Sequence, residues 1–220
     1  MGKILFTGTT PSMCKLSGEL VSQPLITLKP VDDMTLVDKA IQYLTITDWI
    51  IFTSQFTVTI FFDRLKALQW DHRSHAVKMA SIGQTTSDRL LRQGVKIDLQ
   101  PEIESSTGLV KAFKEHVESP KHILIPRSDR ALTVLPDGLK TMGHNVSTVV
   151  VYSNQLPPKT TPYDLTEFDR VVFTAPSTVI NFHQVYGDFP DTLFYYVQGE
   201  ETAKELAQWI DSAHFEQISR

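Results

Sequence analysis

The sequence predicts an α/β fold with two similar lobes, each a parallel sheet flanked by helices. The main observation is an internal repeat, in which residues 48–54 (DWIIFTS) recur as residues 169–175 (DRVVFTA). Downstream of each copy the chain reads strand, glycine, threonine and helix, at residues 81–90 and again at 197–206. Matched blocks in the same order indicate two α/β units of common design.

The chain also repeats near the start of each unit, and its hydrophobic periodicity changes regularly. The short apolar segment at residues 3–7 is echoed at 122–126, and each runs into a polar turn. Short β-branched runs then alternate with helical patterns, which favours parallel strands joined by helices. Over residues 48–152 the predicted strands are 48–52, 76–82, 96–99, 123–125 and 147–152, and the predicted helices are 56–68, 85–92, 105–118 and 131–142.

Capping residues justify the helix boundaries. Ser105 and its two polar neighbours are N-cap candidates for the helix at 105–118. Gly94 and Gly143 follow two further helical patterns, and glycine is common where a helix ends in the left-handed conformation. These signals place helix ends independently of the hydrophobic pattern.

Two proline-containing segments without periodicity, 28–33 and 153–158, are interpreted as linkers between the lobes. Two crossings imply an inserted domain. Residues 34–152 would form this second domain, and residues 1–30 would join 158–220 in a discontinuous first domain. A ligand is expected at the carboxyl ends of the strands, where loops and helix N-termini gather.

The composition excludes several classes of protein. The 220 residues include 21 Lys and Arg against 25 Asp and Glu, so the chain lacks the basic excess of a nucleic-acid-binding protein. A single cysteine, Cys14, excludes a disulfide framework and a thiolate metal cluster, and it fits the cytoplasm as a reducing compartment. The apolar runs are strand-sized, so we expect neither a signal peptide nor a membrane span.

The motifs of several enzyme classes are missing. The sequence has no Walker-type phosphate loop and no GxGxxG pattern, which disfavours ordinary nucleotide binding. His72 and His75 lie in a polar stretch and are interpreted as solvated surface residues, so no metal site is predicted. Cys14 has no identifiable base and is interpreted as a thiol on a helix face. A monomer is expected, because no exposed apolar stripe is obvious.

Small polar residues follow six of the predicted strands, where helices begin. A helix N-terminus offers unpaired N–H groups and partial positive charge, so such residues can hold an anion without Lys or Arg. For any single cluster, simple helix capping is the alternative interpretation. Six clusters around a predicted cleft favour a ligand with several anionic groups. The clusters lie at residues 7–9, 53–54, 83–86, 127–130, 174–178 and 199–202.

Tyr152 is the most informative single residue, because it ends a predicted strand and enters the second predicted linker. A phenol at this point can face the cleft and donate a proton. A tyrosine at a strand end can also simply pack against its neighbours. The residue pattern leaves both interpretations open.

In their order along the chain, these motifs resemble those of the uroporphyrinogen-III synthase family. The resemblance covers nearly the whole chain, although each motif is short. The matching segments are residues 4–7 with Pro11, 48–54 with Val58, Gly83 with Thr86, 123–131, 135–136, 150–152, 173–179, and Gly199 with residues 202–203.

The resemblance implies two α/β lobes joined by a two-stranded linker, and a lyase that needs no cofactor. The implied substrate is hydroxymethylbilane, a linear tetrapyrrole rich in carboxylates. The family cyclises it to uroporphyrinogen III with inversion of ring D and loss of water, in tetrapyrrole and heme biosynthesis. Backbone amides and hydroxyls can hold carboxylates, which reconciles a polyanionic substrate with an acidic protein. The upstream deaminase is a candidate protein partner.

The resemblance also assigns roles to residues. Tyr152 stands where the family's tyrosine is a candidate acid for departure of the terminal hydroxyl. The implied substrate-binding residues are Thr7, Gly8, Thr53, Ser54, Gly83, Thr86, Arg127, Ser128, Pro176, Ser177, Thr178, Gly199 and Thr202.

One departure from the family pattern concerns the last cluster. Glu200 and Glu201 precede Thr202, and acidic side chains there would oppose a substrate carboxylate. Two other functions remain open: a non-catalytic two-lobe protein that binds or senses an anion, and a degenerate synthase domain from a longer enzyme.

Overall fold

The computed structural model describes residues 2–11, 16–71 and 76–218 of the chain. The chain divides into two compact units, one formed by Met1–Leu28 with Asn154–Arg220 and the other by Lys29–Ser153. Each unit contains a five-stranded, largely parallel sheet with helices, which confirms the predicted α/β class. Cys14, His72 and His75 lie outside the described residues, and so do the interpretations placed on them.

Strands and helices alternate over most of the described chain. In chain order they are β1 (Lys3–Phe6), β2 (Glu19–Ser22), β3 (Thr27–Pro30), α1 (Thr35–Gln42), β4 (Trp49–Phe52), α2 (Gln55–Ala67), β5 (Lys78–Ser81), α3 (Gln84–Leu91), α4 (Ser106–His116), β6 (His122–Ser128), α5 (Val134–Thr141), β7 (Asn145–Gln155), β8 (Arg170–Phe173), α6 (Pro176–Tyr186), β9 (Phe194–Gln198), α7 (Glu200–Leu206) and β10 (Phe215–Ile218).

The sheet of the first unit has the strand order β10-β9-β8-β1-β2, and all neighbouring pairs are parallel. Leu5 of β1 stands opposite Val171 of β8. Phe173, Phe182 and Tyr195 belong to the buried core on one face of this sheet. Because the strands run the same way, their carboxyl ends meet at one edge.

The sheet of the second unit has the strand order β3-β7-β6-β4-β5. Strand β4 is parallel to β5 and β6, and β6 is parallel to β7. Its core contains Trp49, Ile51 and Phe113, and the rings of Trp49 and Phe113 meet edge to face with centroids 5.1 Å apart. The carboxyl ends of β4, β5, β6 and β7 therefore share one edge of the sheet.

The chain passes between the units within two neighbouring strands. The unit boundaries fall between Leu28 and Lys29 in β3 and between Ser153 and Asn154 in β7. Pairing extends beyond β3, since the Val31 N–H donates to the Val151 carbonyl at 3.1 Å. Parts of the two segments predicted as linkers are thus paired β strands.

The two copies of the sequence repeat fold alike. Asp48 donates its backbone N–H to the carbonyl of His122 at 2.9 Å, and Asp169 donates its N–H to the carbonyl of Lys3 at 3.1 Å. Strand β4 consequently lies between β6 and β5, as β8 lies between β1 and β9. The matched sequence blocks therefore occupy matched places in two separate sheets.

The predicted strand at residues 96–99 is wrong, because only a single bridge joins Leu99 to Ala80. The Asp98 side chain accepts the Met79 N–H at 2.9 Å, and the Asp98 N–H donates to the Met79 carbonyl at 2.9 Å. A side-chain carboxylate thus supplies one of the bonds that a regular ladder draws from the backbone.

The predicted helix at residues 131–142 begins later, at Val134. A turn precedes it, in which the Arg127 guanidinium donates to the Ala131 carbonyl. The glycines predicted to end these helices do so. Gly143 has φ +86° after α5, and Gly94 has φ +77° after α3. Left-handed backbone at these points explains the glycines.

Three large apolar side chains near α1 are exposed. Leu36, Tyr43 and Ile46 are 68%, 65% and 60% exposed. Leu36 and Tyr43 are seven residues apart and share a helical face. The sequence pattern does not reveal these three exposed apolar side chains. No helix in the described part of the chain combines the length and apolar character needed to span a bilayer.

Candidate functional site

The proposed site residues lie in the carboxyl-terminal halves of strands or in the turns and first helical turns that follow them, and they fall into two clusters, one in each unit. Tyr152 lies inside β7, which continues to Gln155, so the prediction that it ends its strand is wrong. The first unit holds Thr7, Gly8, Pro176, Ser177, Thr178, Gly199 and Thr202. The second unit holds Thr53, Ser54, Gly83, Thr86, Arg127, Ser128 and Tyr152.

Thr7 and Gly8 follow β1 and shape the backbone of the first cluster. Thr7 is completely buried and its hydroxyl donates to the Val172 carbonyl at 2.7 Å. A Cβ atom on Gly8 would lie 2.6 Å from the Thr174 side chain, so only glycine allows this close approach. The Thr7 hydroxyl is therefore used in a hydrogen bond to the protein's own backbone.

Thr178 organises the start of α6. Its Oγ1 accepts the N–H groups of Thr174 and Ala175 at 3.2 and 3.3 Å, and it donates to the Ala175 carbonyl at 2.7 Å. Thr178 is completely buried. Pro176, the first residue of the helix, has no N–H to offer. Both residues fix the backbone around Ser177.

Ser177 joins the start of α6 to the strand that links the units. Its Oγ accepts a hydrogen bond from Asn154 Nδ2 at 2.9 Å. Asn154 lies in β7, at the start of the second segment predicted as a linker. Sequence analysis assigned it no role, although a polar residue two positions after Tyr152 was a signal.

Gly199 and Thr202 open α7. Gly199 has φ +87°, and the space where its side chain would stand is open. The Thr202 hydroxyl donates to the Gln198 carbonyl at 2.9 Å. Glu200 and Glu201 approach Lys204 at 2.8 and 3.7 Å, so the acidic pair noted in the sequence is balanced within the helix.

Gln198 is a second residue that sequence analysis missed. It ends β9 and is only 5% exposed. Its Nε2 has no hydrogen-bond partner among the described residues. Val197 belongs to the main core of the unit, so the alternation of a strand directs Gln198 to the opposite face. A desolvated amide without a partner costs free energy, which marks the position as unusual.

Ser54 and Tyr152 meet in the second cluster. Ser54 caps α2, where its Oγ accepts the Thr57 N–H at 3.1 Å and lies 2.8 Å from Thr57 Oγ1. The Tyr152 hydroxyl lies 3.4 Å from Ser54 Oγ. The Tyr152 ring, 8% exposed, packs edge to face on Phe56 with centroids 5.0 Å apart. Tyr152 is thus both packed and directed at a polar group, while Thr53 is half-buried beside Ser54.

A β-bulge sets the position of Tyr152. The register between β6 and β7 shifts between Arg127 and Ser128, so that Ser128 stands opposite Tyr152. The Asp129 N–H then donates to the Tyr152 carbonyl at 3.1 Å. Bulges commonly re-aim side chains beside functional sites. The Arg127 guanidinium binds the Ala131 carbonyl and so holds the turn that follows the bulge.

The N-terminus of α3 already holds a carboxylate of the protein itself. Glu104 Oε1 accepts the Gln84 N–H at 2.8 Å, and a Cβ atom on Gly83 would lie 2.3 Å from Glu104 Oε2. Thr86 is buried in the same turn. The structure therefore pairs this predicted anion site with Glu104, a residue that no sequence motif indicated.

Titratable groups of the described chain show no grouping of three or more His, Cys, Asp or Glu that could hold a metal ion. The site clusters are made of hydroxyls, amides and helix N-termini instead. Fold and clusters together define a parallel α/β protein of two related units, with polar strand ends suited to anions.

Comparison with known proteins gives the family. The family model described as "Uroporphyrinogen-III synthase HemD" matches residues 9–214. The chain belongs to the uroporphyrinogen-III synthase family.

Two curated relatives are similar in sequence. The chain is 32% identical over 149 residues, 64% of its length, to a putative uroporphyrinogen-III synthase of Methanothermobacter thermautotrophicus. It is 26% identical over 172 residues, 76% of its length, to the uroporphyrinogen-III synthase of Synechococcus elongatus. The matches span 58% and 65% of the lengths of these relatives.

Two solved structures share the fold. A mutant uroporphyrinogen III synthase of Thermus thermophilus superposes with a TM-score of 0.72 at 16% identity, over 95% of this chain and 89% of the other. The uroporphyrinogen-III synthetase of Helicobacter pylori gives a TM-score of 0.60 at 18% identity, over 94% and 89% of the two chains. At these identities the likeness concerns the fold.

Proposed function

We propose that this protein is a uroporphyrinogen-III synthase, which cyclises hydroxymethylbilane to uroporphyrinogen III with inversion of ring D and loss of water. The observation that carries the proposal is the family match across residues 9–214. The helix N-termini that follow the strand ends support it, because a substrate with many carboxylates needs many hydrogen-bond donors. The proposal includes the domain division at 34–152 inserted between 1–30 and 158–220.

The proposed chemistry begins at the hydroxymethyl group of the substrate. Its C–O bond breaks, the hydroxyl leaves as water after taking a proton, and the pyrrole N–H loses a proton to give an azafulvene. The substituted carbon of ring D attacks this electrophile and forms a spiro intermediate. Cleavage of the older bond at that carbon gives a second azafulvene, on the ring to which ring D was joined. The free α-carbon of ring D, on the other side of its nitrogen, attacks this azafulvene and then loses its proton, which closes the macrocycle with ring D inverted.

We assign the proton for hydroxyl departure to Tyr152. A phenol is a donor that can act as a general acid. The 3.4 Å approach of Ser54 Oγ and the contact with Phe56 limit the orientation of the Tyr152 ring. The Ser54 hydroxyl can donate a hydrogen bond to the phenolate that remains, which stabilises it until solvent returns the proton.

We assign the remaining work to positioning of the tetrapyrrole. Thr7 and Thr178 direct their hydroxyls to their own backbone, so their role is to shape the loops rather than to touch carboxylates. Ser177 with Asn154, and the open backbone at Gly199, are the better candidates for direct contact in the first unit. Holding the ends of a flexible chain together lowers the entropic part of the barrier.

The test is a coupled assay. Porphobilinogen deaminase generates hydroxymethylbilane, this protein is added, and the products are oxidised and resolved into type I and type III uroporphyrin. Type III in excess over the spontaneous type I product supports the synthase. Type I alone, from protein shown to be folded, contradicts it and favours an anion-binding or degenerate domain.

The proposal extends to the state of the protein in the cell. We propose a cytoplasmic monomer that takes its substrate from the upstream deaminase. Analytical ultracentrifugation of the protein alone and mixed with the deaminase tests both points. A dimer that Leu36→Glu dissociates would contradict the monomer and identify the exposed side chains near α1 as its contact.

A further inference from the structure

A cavity of about 370 Å³ lies in the first unit, beside the carboxyl end of β2. Ser22 ends this edge strand, and the segment that follows β7 forms the opposite wall. None of the residues assigned to catalysis or substrate binding lines it. The lining residues are Ser22, Gln23, Pro24, Pro157, Lys159, Thr160, Thr161, Pro162 and Tyr163.

Hydrogen bonds tie the two walls of the cavity together. Gln23 is 7% exposed, and its Nε2 donates to the Thr161 carbonyl at 2.7 Å. The Tyr186 hydroxyl donates to Gln23 Oε1 at 2.5 Å and accepts the Tyr163 N–H at 3.2 Å. Burial is the main cause that raises the pKa of Tyr186, so the phenol keeps the proton that it donates. These hydrogen bonds therefore hold the two walls of the cavity together.

The lining combines flat apolar surfaces with one positive charge. Pro24, Pro157 and Pro162 lie on the lining together with Tyr163, which is 46% exposed. Lys159 is exposed and forms no ion pair in the described part of the chain. Such surfaces hold a planar heteroaromatic ring, and a lysine at their margin holds an acidic substituent on that ring.

We propose that this cavity binds one pyrrole ring of the tetrapyrrole, with a carboxylate of that ring paired to Lys159. The inference rests on the synthase function proposed above and adds a binding site to it. The hydroxyls of Ser22 and Thr161 lie on the same lining and can donate to the second carboxylate oxygen. The site would fix the part of the substrate remote from the reacting carbon.

The test measures direct binding of uroporphyrin III to the full chain. Porphyrin fluorescence reports the binding, and no turnover is needed. Lys159→Gln is expected to raise the Kd about three- to tenfold, as for a partly solvated ion pair. Ser22→Phe, which fills the cavity, is expected to raise it at least as much. Lys114→Gln removes another exposed lysine, on α4, that forms no ion pair among the described residues, and it is expected to leave the Kd within about twofold, since only long-range charge is changed.

The outcomes separate this inference from the proposed function. Any one of three results would overturn the inference. They are equal weakening of binding by Lys159→Gln and Lys114→Gln, unchanged binding in Lys159→Gln and Ser22→Phe, and no binding of uroporphyrin III to the unaltered chain. If the unaltered chain also makes type III product, the synthase stands while the cavity does not. If it makes only type I but binds uroporphyrin III in a Lys159-dependent way, the binding site stands while the synthase does not. Circular dichroism and urea unfolding check that each variant is folded.

Discussion

The hydroxyl oxygens of Tyr152 and Ser54 lie 3.4 Å apart, where strand β7 passes the first turn of α2. Ser54 Oγ caps that helix by accepting the Thr57 N–H, so this N–H and the Tyr152 phenol contact the same oxygen atom. Rigid support of this kind is what a proton donor needs if it is to act at one place on a large substrate.

Tyr152→Phe is expected to lower the rate of type III formation about 10- to 100-fold, toward the low end of general-acid effects because positioning does much of the work. The ring contact with Phe56 remains, so stability should change by less than about 1.5 kcal/mol. The coupled assay and urea unfolding measure the two effects. Tyr195→Phe is the control, since the Tyr195 hydroxyl donates to the Pro190 carbonyl in the core of the first unit. Full type III activity of Tyr152→Phe would remove the acid role.

Thr178→Val is expected to destabilise the protein by about 0.5–2 kcal/mol, because the half-buried backbone N–H groups of Thr174 and Ala175 lose their acceptor. The change keeps the shape of the side chain. Urea unfolding measures it. Thr141→Val, which removes an exposed hydroxyl bonded to the Asp137 carbonyl of α5, is the matched control and should cost far less. Similar losses in both variants would contradict the capping role.

Glu104→Gln is expected to weaken the first turn of α3 by about 0.3–1 kcal/mol, since a carboxylate at a helix N-terminus interacts favourably with its partial charge. Under the proposed function it should also lower the KM for hydroxymethylbilane up to about fivefold, because the neutral amide no longer competes with a substrate carboxylate. Urea unfolding and the coupled assay supply the readouts. Glu102→Gln changes a nearby exposed acid and serves as control. A KM that stays constant in Glu104→Gln argues against substrate contact at Gly83 and Thr86.

His144 should make stability depend on pH. It is 6% exposed and accepts the Lys121 N–H at 3.1 Å; burial, and then the charge of Lys121, lower its pKa below the ordinary 6.5. The unfolded chain then binds this proton more readily, so the stabilisation is complete above pH 6.5 and is lost as the pH falls toward the lowered pKa.

Urea unfolding between pH 7.5 and 5 checks this expectation. His144→Gln should be less stable at neutral pH and should show a flatter pH dependence than the unaltered chain. His116→Gln, a change at an exposed histidine of α4, should reproduce the slope of the unaltered chain. Parallel curves for all three proteins would show that His144 does not control acid stability.

Much of the fold could be predicted because its signals are local. Ser54 and Ser105 were readable as helix caps, and both accept the backbone N–H three residues on, at 3.1 and 3.0 Å. The repeat placed β4 and β8 in equivalent positions, since the same pattern of β-forming residues ends at a polar helix start in each. Periodicity and capping act over a few residues, and a sequence displays them directly.

The parts that escaped prediction depend on partners distant in the sequence. Glu104 reaches the N-terminus of α3 across a long loop, and Asp98 takes the place of a strand bond to Met79. Many acidic residues could have made either contact, and no periodicity distinguishes them. Asn154 and the unpartnered amide of Gln198 belong to the same class, because burial and pairing are decided only when the sheet is assembled.

The pairing of β1 with β8 also limits the order in which parts of the chain can fold. Leu5 cannot take its place beside Val171 until Val171 has been synthesised, whereas the whole of Lys29–Ser153 emerges from the ribosome as one uninterrupted piece. Closing so long a loop is slow, so the unit Lys29–Ser153 should fold first while the edge of β1 that pairs with β8 stays open. During synthesis this edge is therefore exposed to chaperones and to misassociation. A chain released from the ribosome that ends before residue 170 should contain a protease-resistant second unit and a protease-sensitive β1.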